Sequence, residues 1–285
     1  MIQKSYENDK ASCYIVPTPI GNMKDMTERG KDVLEMVDAI FAEDTRVTQV
    51  LLNLLGIKKK LYQSQKFNEA QASLTALKYL KEGKNIAIVT DRGTPLISDP
   101  GSLVVDNIIK SGFNVIALPG ACAFVPALNM SNINQEKFLF YGFLSSKESQ
   151  AVKELEELKN INFTIVLYEA PHRLYKTLQN ILKILGNINI SISREITKMH
   201  EEVFRGTVSE AIDYYRNVKG EIVIVLDNNL VKVDYFKYLT EVKELISLGV
   251  KPNDSIKYIS KKYLVSRNIL YDMLEEEKWW RLYLV

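Results

Sequence analysis

The sequence predicts an α/β protein of two domains that carries a small C-terminal helical appendage. Short apolar runs such as Ile86 to Val89 alternate with amphipathic stretches over the first 120 residues, a pattern typical of βαβ units and a parallel sheet. Beyond residue 230 only helical periodicity remains. The 285 residues are sufficient for two domains. We therefore expect an N-terminal α/β domain at 1–120, a C-terminal α/β domain at 121–230 and a helical tail at 231–285.

The composition is that of a folded globular protein, with 46% hydrophobic and 25% charged residues. The net charge of +2 excludes a whole-protein basic field, so any RNA partner must be bound by a local patch. No run of about 18 apolar residues occurs and the first residues are charged, which predicts a cytoplasmic protein with neither membrane span nor secretory signal. Two cysteines without pair spacing and two histidines indicate reduced thiols and no metal centre.

The elements of the first domain follow from apolar runs and from capping residues. Thr27 is a suitable N-cap for the first helix, and Gly56, Gly83 and Gly112 end the next three. Lys58 to Lys60 is interpreted as a solvated loop. The predicted strands are Cys13 to Val16, Ala39 to Ala42, Ile86 to Val89 and Val115 to Leu118.

A rigid loop follows the strand Ile86 to Val89. It begins with Thr90 and Asp91 and continues through Gly93 and two prolines. In open α/β sheets small ligands bind at the carboxyl ends of the strands, where an acidic side chain can hold a ribose hydroxyl. This favours a nucleoside-like ligand, the alternative being that these residues only punctuate a long turn. The loop Pro17 to Asn22 after the first strand is stiff and is not a dinucleotide fingerprint, which argues against a nicotinamide dehydrogenase.

Two further strand ends carry candidate functional residues. Glu43, Asp44 and Arg46 follow the second strand, and their alternative interpretation is a solvated turn with Asp44 or Thr45 as N-cap. The small residues Pro119 to Ala123 suit a backbone that lies against a ligand and mark the boundary between the domains.

The second domain is predicted to be α/β as well. Helices are expected near 147–159, 173–184 and 207–217, and the charge-dense segment 193–205 is interpreted as a solvated ion-pair loop. In the tail, Lys257, Lys261, Lys262 and Arg267 lie on short helices that resemble a helix-turn-helix and point to RNA, and Trp279 and Trp280 are expected to be docked. The predicted strands of this domain are Phe138 to Tyr141, Phe163 to Tyr168, Ile188 to Ile192 and Ile222 to Leu226.

Taken together, these motifs resemble the tetrapyrrole methylase superfamily and, within it, the ribosomal RNA small subunit methyltransferase I branch. The resemblance implies a two-domain α/β protein, usually a homodimer, that binds S-adenosylmethionine between its domains and methylates a cytidine ribose 2′-hydroxyl in small-subunit ribosomal RNA. The motifs that carry it are Val16 to Asn22, Ala42 to Arg46, Asp91 with Gly93 to Gly101, Pro119-Gly120, Tyr168 to Arg173, Arg194 to Lys198 and Lys219 to Glu221.

The resemblance also implies site residues. Because methyl transfer also needs a base, we hypothesise that Glu43, Asp44 or Glu169 supplies or organises it. We further hypothesise that Arg46, Arg173 and Lys198 bind RNA phosphate, with Arg92 as another candidate. The cofactor-binding candidates are Pro19, Asp91, Gly93, Thr94, Pro95, Ile97, Ala121, Cys122, Ala123, Tyr168, Glu169, Gly220 and Glu221.

The sequence departs from this branch in three places. Arg92 replaces a usual Ala, where its cation could repel a sulfonium or grip an RNA phosphate; Gln65 to Glu69 replaces a His-Glu-His-Asn-Glu run; and Ala121-Cys122 replaces Pro-Ser. Two alternatives follow: a methylase of the same superfamily with a different substrate, against which the stiff first loop and the basic tail argue, or a non-catalytic RNA- or ribosome-binding relative. Methyl transfer from a sulfonium depends mainly on positioning and on a base.

Overall fold

The computed structural model describes residues 2–5, 7–8, 10–65, 67–228, 235–263 and 265–282, without the side chains of residue 235 and of residues 276–282. The chain forms two compact units, Met1–Asn228 and Asn229–Val285. Both sheets described below belong to the first unit. The division of that unit into two domains at residue 120 stays a prediction.

The first sheet has five strands, all parallel, in the order β3-β2-β4-β1-β5. This confirms the parallel sheet that the alternating pattern predicts. The strands are β1 (Ser12–Ile15), β2 (Ala39–Ala42), β3 (Lys60–Gln63), β4 (Ile86–Val89) and β5 (Asn114–Ala117).

Four helices cover both faces of this sheet because its strands are apolar on both sides. In β4, Ile86 and Ile88 pack into the cluster that contains α3 and α4 residues, whereas Ala87 and Val89 pack into the cluster that contains α1 and α2 residues. The caps are as predicted: Thr27 accepts the Gly30 N–H at α1, and Gly56 ends α2 in the left-handed region. The helices are α1 (Glu28–Met36), α2 (Thr45–Leu55), α3 (Glu69–Lys81) and α4 (Ser102–Lys110).

Strand β3 is an element that the sequence analysis misses, and the interpretation of Lys60 as part of a solvated loop is wrong. β3 lies at the edge of the sheet that the described residues form, and both Lys60 and Gln63 are exposed. The ring of Tyr62 stacks on Phe41 of β2 with centroids 5.2 Å apart. An edge strand needs few apolar residues, so its pattern resembles that of a loop.

The second sheet also has five strands, in the order β6-β7-β10-β8-β9, with β6 and β7 parallel and the other pairs antiparallel. Its strands are β6 (Phe138–Phe143), β7 (Thr164–Glu169), β8 (Asn189–Arg194), β9 (Glu202–Thr207) and β10 (Ile222–Leu226). Its helices are α5 (Phe124–Met130), α6 (Glu148–Leu158), α7 (Pro171–Leu185) and α8 (Val208–Tyr214).

The interpretation of 193–205 as a solvated loop is wrong at both ends of the segment, because residues 193–194 belong to β8 and residues 202–205 to β9, which form an antiparallel pair; residues 195–201 form the turn between them. Arg194 and Glu202 are opposite each other in the register, and their side chains lie 3.1 Å apart. The charges that resemble a solvated loop in the sequence therefore face each other across two strands.

The two faces of the second sheet have different partners. Helices α6, α7 and α8 cover one face. The other face, with Val166 and Val223, packs against α5 and against Ile20 from the loop that follows β1. Ile20 thus ties the loops of the first sheet to the second sheet, and the space that these loops leave becomes the site described below.

The unit Asn229–Val285 contains α9 (Tyr235–Ser247), α10 (Pro252–Tyr263) and α11 (Arg267–Leu282). Leu239, Val242, Ile259 and Leu270 contribute to its own small core. The side chains of Trp279 and Trp280, for which docking is predicted, lie outside the described part of the chain. Among the described residues, no helix has the length and apolar character that a membrane crossing requires.

Candidate functional site

A cavity of about 530 Å³ lies at the carboxyl ends of β2 and β4, where their loops face β7 and β10 of the second sheet. This volume is within the range of small-molecule sites, roughly 300 to 1,000 Å³. The location is the one that open α/β sheets use for ligands. Predicted site residues that line it are Glu43, Asp91, Arg92, Gly93, Thr94, Ile97, Cys122, Ala123, Tyr168, Glu169, Gly220 and Glu221.

Thr90, the first residue after β4, joins two carboxyl groups of this cavity. Its buried Oγ1 lies 2.6 Å from Glu43 Oε2 and 2.8 Å from Asp99 Oδ2. A hydroxyl carries a single hydrogen, so Thr90 donates to one carboxyl group only. Glu43, Thr90 and Asp99 therefore form a cluster suited to hold an exchangeable proton.

Burial raises the pKa of the Asp99 carboxyl to about 6, and the carboxylates of Glu43 and Asp91 act in the same direction, while the Thr90 hydrogen bond opposes them. Burial also raises the pKa of Asp91, against the hydrogen bond that its Oδ1 accepts from the Asp44 N–H at 3.0 Å. A pKa near neutrality suits a group that exchanges protons during a reaction. Asp99 is thus the member of the cluster best matched to that task.

The loop between β4 and α4 is held in place at several points. Gly93 forms two backbone hydrogen bonds of 2.9 Å with Thr18, and the Thr94 hydroxyl donates to the Ala121 carbonyl at 2.8 Å. Gly93 has φ +88°, where an added Cβ would lie 3.3 Å from Ile20 Cγ2. The far end is held by Glu69, which accepts the Gly101 N–H at 2.9 Å. The loop is therefore a fixed wall of the cavity.

Asp44 and Arg46 are close to the site but have each other as partners. The Asp44 side chain accepts the Arg46 N–H at the start of α2, and the Arg46 guanidinium lies 2.6 Å from it. The Arg46 hydrogen bond lowers the pKa of Asp44 to about 2. An aspartate held this strongly in its charged form is a poor proton acceptor near neutral pH. The N-cap alternative for Asp44 therefore agrees with the geometry.

Glu169 and Arg173 form a buried arrangement at the start of α7. The Glu169 carboxylate is 1% exposed and accepts from the Ala170 N–H at 2.8 Å and the Thr177 hydroxyl at 2.5 Å. Arg173 Nε lies 3.3 Å from the same carboxylate, and its Nη2 donates to the carbonyls of Leu144 and Ser145. These contacts fix the end of β7 and leave both side chains engaged within the protein.

An aromatic wall, formed by Phe143 and Tyr168, also lines the cavity. Tyr168 has edge contacts with Phe140 and Phe143, with centroids 5.0 and 5.5 Å apart. Burial and the neighbouring Cys122 thiol raise the pKa of Tyr168. This wall suits a flat ring such as a nucleobase, because aromatic rings prefer edge and offset contacts of this kind.

Arg92 extends across the cavity from the first half to the second. Its guanidinium forms an ion pair with Glu221, whose other oxygen lies 2.9 Å from Lys198 Nζ. Lys198 also contacts Glu195 at 2.8 Å. Two candidates for RNA phosphate, Arg92 and Lys198, thus share one carboxylate. The cation of Arg92 is neutralised locally instead of facing an incoming sulfonium.

We expect Arg92→Ala, which introduces the residue usual in the branch, to change the free energy of unfolding by less than about 1 kcal/mol, because the pair is half exposed and Glu221 keeps Lys198. The salt dependence of RNA binding should stay unchanged as well. Chemical denaturation and RNA titrations at several salt concentrations check this. A salt slope that falls by the equivalent of one phosphate contact would instead identify Arg92 as an RNA ligand.

Not every predicted residue lines the cavity. The candidates that do not line it are Pro19, Asp44, Arg46, Pro95, Ala121, Arg173 and Lys198. Thr90, Asp99 and Phe143 line it although the sequence analysis assigns them no function. A buried polar residue at a strand end was a usable signal for Thr90. Asp99 lies within the motif Gly93 to Gly101, but only the folded loop shows that it contacts Thr90.

The cavity fits the cofactor that the sequence predicts. Gly93 lines the cavity with φ +88°, a conformation that favours glycine, so its backbone borders the ligand space without a side chain. The acids Glu43, Asp91 and Asp99 complement a positive sulfonium, and Asp91 is placed at a strand end where it could hold a ribose hydroxyl. Phe143 and Tyr168 offer aromatic surface for adenine.

Comparison with known proteins adds to this geometry. The family of tetrapyrrole (corrin/porphyrin) methylases matches residues 12–212. Ribosomal RNA small subunit methyltransferase I of Bacillus subtilis (strain 168) is 42% identical over 273 residues, covering 92% of each chain. The protein of that name from Thermotoga maritima is 45% identical over 214 residues, 74% of this chain and 96% of that one.

Two solved structures share the fold of the chain at low sequence identity. Uroporphyrin-III-C-methyltransferase from Thermus thermophilus has a TM-score of 0.56 at 16% identity, covering 77% of this chain and 96% of that one. A cobalt precorrin-4 methyltransferase has a TM-score of 0.55 at 17% identity, covering 75% of this chain and 94% of that one. At such identities the likeness concerns the fold alone.

Proposed function

The chain belongs to the tetrapyrrole methylase family, and on that premise we propose that it methylates small-subunit ribosomal RNA at the 2′-hydroxyl of a cytidine. The methyl donor of the family is S-adenosylmethionine. The observation that carries the proposal is the Glu43–Thr90–Asp99 cluster in the cavity of a chain 42% identical to a ribosomal RNA small subunit methyltransferase I over 92% of its length. A 2′-hydroxyl must lose a proton on methylation, and this cluster can accept one.

The chemistry assigns a simple task to the protein. When bound, S-adenosylmethionine supplies an electrophilic methyl group and leaves as S-adenosylhomocysteine, so the protein has to align the accepting hydroxyl and remove its proton. Alignment accounts for about 7 to 11 kcal/mol of the barrier in well-oriented reactions, and a base adds roughly two to four powers of ten. In this proposal the alignment is provided by the rigid loop from Gly93 to Gly101 and by the aromatic wall at Tyr168.

We assign the removal of the proton to Asp99, which contacts the Thr90 hydroxyl, and Thr90 in turn contacts Glu43. Above pH 6 Asp99 is a carboxylate whose raised pKa makes it a better base than an ordinary aspartate. Thr90 contacts both carboxyl groups and so orients Asp99 beside Glu43. In this proposal Asp44 and Glu169 hold α2 and α7 in position and act through the residues that those helices support.

The remaining predictions on partners belong to the same proposal. Arg46, whose side chain is 89% exposed, is the residue that we propose to contact RNA phosphate, whereas Arg173 binds carbonyls inside the protein. The exposed Lys257, Lys261 and Arg267 of the helical unit are further candidates for RNA contact. A homodimer and a cytoplasmic location, where ribosomal subunits occur, complete the proposal, and sedimentation of the purified protein tests the homodimer.

The direct experiment incubates the purified protein with methyl-labelled S-adenosylmethionine and unmodified small ribosomal subunits, followed by nucleoside analysis of the RNA. We expect label in 2′-O-methylcytidine. Label in another nucleoside would support an RNA methylase but refute the proposed specificity for the cytidine 2′-hydroxyl. Cofactor binding without any transfer would favour a non-catalytic RNA-binding relative, the alternative that the departures at Arg92 and at Gln65 to Glu69 suggest.

A further inference from the structure

A basic groove lies between the edge strand β3 and helix α3, lined by residues other than those of the cavity described above. It has a volume of about 430 Å³. Lys60 and Tyr62 of β3 form one side, Lys78 and Tyr79 of α3 form the other, and Lys84 closes one end. We call these five residues the β3–α3 groove.

The two tyrosines leave one hydrogen-bond donor to spare. Tyr62 Oη and Tyr79 Oη lie 3.0 Å apart, so one hydroxyl donates to the other. The hydrogen of the second hydroxyl has no acceptor within the described part of the chain. Stacking on Phe41 and the edge contact between the two tyrosine rings, with centroids 5.7 Å apart, hold the pair in place. A fixed O–H donor without an acceptor is suited to an incoming oxygen.

Positive charge surrounds this donor. Lys60 Nζ lies 5.1 Å from the Tyr62 ring centroid, and Lys84 Nζ lies 5.6 Å from that of Tyr79. The Lys60 ammonium and the Tyr79 hydroxyl lower the pKa of Tyr62, which makes its O–H a stronger donor. Glu82 also lines the groove and lies 2.7 Å from Lys84, so these two charges offset each other, while Lys60 and Lys78 remain as cations; Asp38 accepts the Asn85 N–H at 2.8 Å. The groove therefore offers donors and little competition for an anion.

The lysines extend well beyond the space that a single small anion would occupy. Lys58 and Lys59 directly precede β3, and Lys81 follows Lys78 in the last turn of α3. Segments 58–60 and 78–84 together contain six lysines, in a chain whose net charge is only +2. A row of cations beside aromatic rings matches a polyanion with repeated phosphates.

We propose that the β3–α3 groove is a docking surface for the phosphodiester backbone of RNA, separate from the methyl-transfer cavity. It binds consecutive phosphates through Lys60, Lys78 and their neighbours, and one phosphate oxygen accepts the spare tyrosine O–H. The inference rests on the proposed function in that RNA is the substrate class there. A large RNA substrate requires contacts outside the reaction site, and this surface supplies them on the outer edge of the first sheet.

The competing explanation is that lysines on β3 only protect an exposed sheet edge from pairing with another chain. That explanation accounts for Lys60 on the strand. It does not account for the convergence of Lys78, Lys84 and the Tyr79 hydroxyl, all from outside the strand, on the same groove. The two explanations differ in their consequences for RNA affinity, which the following experiment measures.

The test uses the full chain and a labelled single-stranded RNA of mixed sequence, titrated at several salt concentrations. For Lys58→Gln/Lys60→Gln/Lys78→Gln we expect the affinity near 0.1 M salt to fall about tenfold to a hundredfold and the salt slope to become shallower by about two. Tyr62→Phe, which keeps the ring and removes its hydroxyl, should weaken binding by about threefold. Calorimetric binding of S-adenosylmethionine, which uses the other cavity, should be unchanged in both variants.

The matched control is Lys153→Gln/Lys159→Gln/Lys183→Gln, which removes the same charge from exposed lysines of the second half. It should retain most of the affinity of the unmodified chain. An equal loss in the control, or no loss in the groove variant, would overturn the proposal. The proposal would also be overturned if the unmodified chain did not bind RNA. A third contrary result would be micromolar binding of inorganic phosphate that the groove variant loses while its RNA affinity stays unchanged.

This readout is independent of methyl transfer, so the two proposals fail separately. RNA affinity that depends on the groove, without transfer of label to small subunits, would refute the proposed function and support the groove. Transfer of label by a groove variant that binds RNA as tightly as the unmodified chain would support the proposed function and refute the groove.

Discussion

Replacing Asp99 by Asn is expected to lower the rate of methyl transfer by about two to three powers of ten, because the amide cannot accept a proton while the shape of the loop is retained. The new amide can still hydrogen-bond to Thr90, so cofactor affinity should change little. Single-turnover transfer of label to RNA gives the rate, and calorimetry gives the affinity. Thr90→Val, which removes the contact of Asp99 with Glu43, should lower the rate by about tenfold or more.

The same Asp99→Asn substitution should stabilise the fold near neutral pH. The native pKa of Asp99 is raised to about 6, above the value of about 3.9 for an unfolded aspartate. The native state then binds more protons than the unfolded state between these values, so stability falls as pH rises from about 4 to about 6 and stays lower above. A neutral amide at this position lacks this penalty. We expect a gain of about 1 to 2 kcal/mol at pH 7.5 and none below pH 4.

Denaturant titrations at pH 4 and pH 7.5 check the sign of the effect. The control is Asp106→Asn, an aspartate of α4 that pairs with Lys110 at the surface, which should change neither rate nor stability appreciably. A fully active Asp99→Asn protein would remove Asp99 as proton acceptor and leave Glu43 as the candidate. Lower stability at pH 7.5 would contradict the raised pKa.

Glu169→Ala is expected to lower the free energy of unfolding by about 3 kcal/mol, a large effect for one substitution. It removes a buried carboxylate that accepts from Ala170 and Thr177, and it leaves the Arg173 guanidinium without its anion. Glu169→Gln keeps the shape and one acceptor oxygen and should lose about half as much. Chemical denaturation measures both.

The control for this prediction is Glu148→Ala, whose ion pair with Lys176 is exposed and should contribute less than about 0.5 kcal/mol. Catalysis separates the two interpretations of Glu169. If it positions α7, Glu169→Gln retains turnover at temperatures where it is folded. If it is the base, turnover falls by powers of ten in a protein that remains folded, and the assignment to Asp99 is wrong.

The parts of the fold that the sequence predicts are those decided by local chemistry. The run Ile86–Val89 is apolar on both faces and ends at Thr90 and Asp91, so a buried strand and the loop after it follow without tertiary information. The caps Thr27 and Gly56 mark their helix ends for the same reason. The edge strands β3 and β9 could not be predicted from the sequence, because half-exposed strands carry charged residues and their pattern resembles that of loops.

The candidate site divides in the same way. Asp91, Gly93 and Tyr168 are predictable because motifs and strand ends mark them, and all three line the cavity. The family, the parallel sheet and the strand ends where the site lies can all be inferred from the order of residues alone. Which acids contact the same hydroxyl and which are paired with cations becomes visible only in the folded chain. Thr90 and Asp99 meet at 2.8 Å, and Arg92 reaches Glu221 far along the chain, because hydrogen bonding and ion pairing depend on distances and burial that arise only when separate loops fold together.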